Sequence, residues 1–148
     1  MVRNAFVSLL LLSASIAIGC DSGRHASTGF RLPPGGDIER GKAAFVALGC
    51  ATCHEVSGGD TPHPTVQPPV PVVLGGLLDY QMPDGYLVTS IINPSYRLAP
   101  YRKDQIAHGN ESRMPHYADQ ITVRQLTDIV AFLQSRYGVR RLPTKYYY

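Results

Sequence analysis

The chain contains no tryptophan, only three cysteines, and no run of basic residues among its 148 positions. Each absence closes off a class of reading. Without tryptophan, no indole N–H is available to any site. Three cysteines, two of them only three residues apart at Cys50 and Cys53, cannot make a disulfide framework beyond that close pair. A net charge of +3 with scattered arginines lacks the clustered basic face that nucleic acid requires, so no nucleic-acid partner is expected. No internal repeat is visible. The length suits one domain and not two. The apolar stretch near the start of the chain, residues 5–18, has fourteen residues and no charge. That falls short of the roughly 20 needed to span a bilayer as a helix.

That stretch follows the lone positive charge of Arg3 and runs into Ala17-Ile18-Gly19-Cys20. A charged start, a short apolar core and small residues are the parts of an export signal. Small residues directly before a cysteine resemble the bacterial lipobox, in which the cysteine becomes the lipidated first residue. Ala17 departs from the Leu or Val commoner at its position. The resemblance implies a signal peptide over residues 1–19 and a lipid anchor on Cys20. It places the protein outside the cytoplasm, tethered to a bacterial membrane and facing the periplasm. The alternative is an ordinary signal cleaved nearby, with Cys20 a spare thiol. Asp21 resembles the inner-membrane retention signal of some Gram-negative lipoproteins.

Residues 20–36 are rich in Ser, Gly and Pro and read as a flexible tether. A first helix is expected over 37–48, with Asp37 as N-cap, Ile38, Phe45 and Leu48 on one stripe, and Gly49 as the stop. Five prolines between residues 58 and 76 rule out a continuous helix there and imply an irregular loop with extended pieces. A second helix is expected over 84–93, ended by Pro94, and a short helical turn over 103–108 before Gly109. The last helix is the clearest. Thr122 and Gln125 form a capping box, and Leu126, Ile129, Val130 and Leu133 recur at helical spacing. Phe132 and Tyr137 widen that face, and Gly138 stands where a C-cap belongs. The expectation is an all-α domain of three to five helices over residues 37–138, with a tail over 139–148. Its proline-rich loops bury little, so a large apolar cofactor would complete its interior.

Cys50-Ala-Thr-Cys53-His54 fits C-x-x-C-H, the attachment motif for covalent haem c. Each thiol can form a thioether to one vinyl group, and the adjacent histidine then becomes the proximal iron ligand. A thioredoxin-like pair would need a flanking β-α-β pattern, which is absent. Zinc would need a second pair of ligands at metal spacing, and none appears.

With these residues in view, the domain resembles a class I cytochrome c over about residues 37–137. Gly41-Lys-Ala-Ala-Phe45 is similar to the family's first-helix pattern, in which the glycine lets the first and last helices cross closely. Phe132 takes the place of the last-helix aromatic that packs there. The resemblance implies one covalent haem wrapped by helices and long loops. It implies that Met114, followed by Pro115, is the sixth ligand; Met114 lies 60 residues beyond His54 and eight before Thr122. Met82, also followed by proline, is the rival, and His108 and His116 have the right chemistry. His25 and His63 read as bystanders. The resemblance also implies that His54 bonds a proline carbonyl after the motif. Pro71, in Pro71-Val-Val-Leu-Gly75, is similar to the family's Pro-x-Leu-x-Gly, although Pro68 and Pro69 stand close by. Arg97, Tyr101 and Arg102 are candidates to hold the propionates.

The function so implied is one-electron transfer between exported or membrane redox partners, without catalysis. Two alternatives remain: a dedicated cytochrome subunit of an exported dehydrogenase, reductase or oxidase, and a haem-based sensor or small-ligand binder.

Overall fold

The computed structural model describes residues 31–58 and 61–140. Helices dominate it, in the order α1 (Ile38–Ala47), α2 (Asp84–Ile92), α3 (Lys103–Ile106) and α4 (Val123–Gln134). Six strands of two or three residues pair off between the loops: β1 (His54–Val56), β2 (Val72–Leu74), β3 (Gly76–Leu78), β4 (Ala107–His108), β5 (Glu111–Ser112) and β6 (Tyr137–Val139). The helical expectation holds in outline, with three small two-stranded pairs added to it.

α1 forms where its caps and stripe dictate. The Asp37 carboxylate accepts from the backbone N–H of Arg40 at 2.8 Å, satisfying a donor that the first turn leaves open. Gly41 and Phe45 face inward, and the helix closes at Leu48 before Gly49 turns left-handed at φ 75°. α4 carries the expected capping box, with Gln125 N–H donating to the Thr122 hydroxyl at 3.2 Å. Its inner face, from Leu126 through Ile129, Val130, Phe132 and Leu133, is the centre of the core.

α1 and α4 cross at Gly41. A methyl group there would overlap the carbonyl oxygen of Asp128 and stand 2.8 Å from the Phe132 Cβ. Only hydrogen lets the two backbones approach so closely. Beside the crossing, the Phe45 and Phe132 rings meet at 5.7 Å with a 58° tilt, the edge-biased arrangement that ring quadrupoles favour. The buried Asp128 side chain ties the crossing from the other flank. It accepts from the Asp37 N–H at 2.9 Å and from Arg40 Nε at 3.0 Å.

Two boundaries differ from the sequence reading. The helical turn expected over 103–108 stops at Ile106, and Ala107 and His108 pair as β4 with β5. α4 ends at Gln134 with Ser135 as its C-cap, and Tyr137 and Gly138 belong to β6. The Ser135 hydroxyl donates to the Phe132 carbonyl at 2.6 Å, and the Arg136 carbonyl accepts from Gly76 at 2.9 Å. Those bonds draw the chain out of the helix into a parallel pair with β3, in register Gly76 with Tyr137. Periodicity cannot reveal such a stop, because the competing partner lies some 60 residues away in sequence.

Candidate functional site

The stop at Gly49 leads directly into the attachment motif. Residues Cys50–Thr52 form one 3₁₀ turn, with Cys53 N–H donating back to the Cys50 carbonyl at 3.3 Å. Ala51 is buried, and the thiols of Cys50 and Cys53 are free and half-buried. The proline-rich segment folds back over this turn: the N–H groups of Thr65 and Val66 both donate to the Thr52 carbonyl, at 3.1 and 3.0 Å.

His54 opens β1, which pairs in parallel with β2 in the register His54 with Val72. The ring Nδ1 lies 3.2 Å from the Val72 carbonyl oxygen. A carbonyl only accepts, so Nδ1 carries the proton and Nε2 keeps its lone pair for a metal. The partner is therefore Val72 and not Pro71, the residue expected from the family pattern. Strand register decides this: Pro71 precedes the paired residues and is exposed. Burial holds the imidazole pKa below its ordinary value, against the opposing pull of the Val72 carbonyl. A neutral ring with a free Nε2 is the form that binds iron.

Burial pushes the Cys50 thiol up to about 11. Thiol–disulfide chemistry wants a depressed thiol pKa, so this environment speaks against a thioredoxin-like pair. Among the described residues, no group of three His, Cys, Asp or Glu side chains is placed to hold a metal ion. The donor set instead suits haem c: two free thiols around a buried alanine, and an imidazole oriented by a backbone carbonyl. Tyr117 is a neighbour that sequence reasoning missed. It is buried in the main core cluster beside Cys50, and burial followed by the two thiols raises its pKa. Nothing in the local sequence pattern marks it, because its partner is 67 positions away.

Met114 is half-buried and packs against the same core cluster that contains Ala51 and Tyr117. Met82 also belongs to that cluster and is 7% exposed, but it is fastened elsewhere. Its carbonyl accepts from Gln134 Nε2 at 2.8 Å, which binds it to the end of α4. That fits a core gap-filler. His63, His108 and His116 are exposed, as are Arg97, Tyr101 and Arg102, and Arg102 pairs with Asp104 at 2.8 Å. His25, Cys20 and the segments 1–30 and 141–148 lie outside the described residues. Among the described residues, no helix is long and apolar enough to cross a membrane.

A family model for cytochrome c matches residues 38–136, more than half of the chain. No curated protein and no solved structure matches it.

Proposed function

The chain belongs to the cytochrome c family, and on that footing we propose that it is a membrane-anchored monohaem carrier of single electrons. The family binds covalent haem c and works in haem-based electron transfer. Haem c supplies a one-electron iron couple; the residues of this chain bind it, orient it and set its environment.

Cys50 and Cys53 are the attachment thiols, and His54 is the proximal ligand. The observation that carries this assignment is the His54–Val72 contact. It sets the tautomer, the ring orientation and the lone pair before any cofactor arrives, at the position adjacent to Cys53. Met114 is the distal ligand. Its neutral thioether is soft and favours ferrous iron, so His/Met ligation raises the reduction potential above that of a bis-histidine site. With His54 and Met114 both holding the iron, no coordination position would be left for a substrate. The work is then outer-sphere electron transfer and not catalysis. Cys20 carries the lipid, and the stretch between it and Leu32, where the chain first packs against the core cluster, sets the reach of the domain from the membrane. Confinement there turns the encounter with exported or membrane redox partners into a short-range search at raised effective concentration.

The visible spectrum of the oxidised protein tests the ligand assignment. A weak far-red band reports methionine sulfur on ferric haem. Met114→Ala should abolish it and Met82→Ala should leave it in place. A band that survives Met114→Ala would overturn the His/Met reading.

A further inference from the structure

Ser95 lies half-buried just beyond α2, 19 residues before Met114 in sequence. Its hydroxyl oxygen accepts from the backbone N–H of Ser112 at 3.0 Å. The same oxygen stands 3.5 Å from His116 Nε2. Ser112 is two residues before Met114 and His116 two residues after it. One hydroxyl therefore touches both flanks of the methionine.

The segment between those flanks has few other ties. The Met114 N–H donates to the Ser112 hydroxyl at 3.1 Å, which makes Ser112 the hinge on which Met114 is carried. Ser112 ends β5, a strand with only two paired positions against β4. The Arg113 N–H donates to the Ile106 carbonyl at 2.9 Å, and its guanidinium donates to the Asp104 carbonyl at 3.1 Å. These bonds hold the segment to its own hairpin and to α3. Beside the apolar packing of Met114 on the core, Ser95 supplies hydrogen bonds that fasten the segment to the chain just beyond α2.

We infer that Ser95 is a positioning residue that keeps Met114 in place as the distal ligand by clamping the residues on either side of it. The inference rests on Met114 being that ligand. Displacement of a methionine ligand by an added ligand requires the segment to open, and the apparent affinity of the added ligand scales with the open fraction. A net intramolecular hydrogen bond contributes enough that losing one raises the open fraction about threefold to tenfold.

Imidazole titration of the ferric holoprotein, followed in the visible spectrum, reads this directly. Ser95→Ala should bind imidazole about threefold to tenfold more tightly than the parent, while its far-red band without imidazole keeps the parental intensity. Ser95→Thr, which keeps the hydroxyl, should return the affinity towards the parental value. A merely structural role would lower the unfolding temperature of Ser95→Ala and leave imidazole affinity unchanged; that result, or parental affinity with parental stability, overturns the clamp. Met114→Ala, measured alongside, separates the two readings. If the far-red band persists in it, the ligand assignment has failed. If the band is lost but Ser95→Ala binds imidazole as the parent does, the clamp alone has failed.

Discussion

Replacing Gly41 with alanine sets two effects of opposite sign against each other. In an isolated helix the change is favourable by about 1 kcal/mol, because alanine gives up less backbone freedom than glycine. At the α1–α4 crossing the new methyl would overlap the Asp128 carbonyl oxygen and press within 2.8 Å of the Phe132 Cβ. Neither obstacle is the far end of a flexible side chain, so the helices must separate. Overpacking of this kind costs about 1–3 kcal/mol. Separation also loosens the Phe45–Phe132 ring contact and the Asp37 and Arg40 bonds to Asp128, which places the cost at the upper end of that range. Net destabilisation should be about 2 kcal/mol once the propensity gain is subtracted. In a domain of roughly 100 residues that corresponds to a fall in Tm of about 8–16 °C. Thermal unfolding of the holoprotein by far-ultraviolet circular dichroism measures it. Ala43→Gly, at an exposed position of the same helix, serves as control and should lose about 1 kcal/mol from propensity alone. If Gly41→Ala melted at or above the parental temperature, the helix crossing would not be what the glycine is for.

Two further outcomes follow, one from the helix crossing and one from Cys20. The hydrogen bond from Arg40 holds the Asp128 carboxyl below the ordinary carboxylate range, against the opposing effect of burial. Because the folded value is depressed, its contribution is present above the unfolded value of about 3.9 and fades as pH falls through the lower folded value. Urea unfolding across acid pH should therefore show Asp128→Asn less stable than the parent near neutrality, with the gap closing below about pH 4; a gap that stays constant would refute the linkage. Cys20→Ala should move the protein from the membrane fraction to the soluble one, and its retention with membranes would show that lipidation is not the tether.

Different parts of the molecule were legible for different reasons. The caps of α1 and α4 are local chemistry, in which Asp37 and Thr122 each answer donors three residues away. The attachment motif is local too, since two thiols and an imidazole within five residues need no fold to be recognised. The crossing of Gly41 and Phe45 with Phe132 was legible only through family resemblance, because no spacing rule links positions some 90 residues apart. Tyr117 and Ser95 had no sequence signal at all. Each acts through a partner on another element, Cys50 for one and Ser112 for the other.

A small helical domain that carries C-x-x-C-H just after its first helix is readable from the chain alone, because helical period, capping and the motif are all written within a few residues. Tertiary structure decided that His54 is oriented by Val72 and not by Pro71, since a parallel strand register sets the carbonyl that faces the ring. It also decided that α4 stops at Gln134 and gives Tyr137 to a strand. In both cases the deciding partner is a backbone group distant in sequence, and every residue carries the same backbone. Side-chain pattern therefore cannot announce which carbonyl or amide will be chosen; only the packed chain brings it within reach.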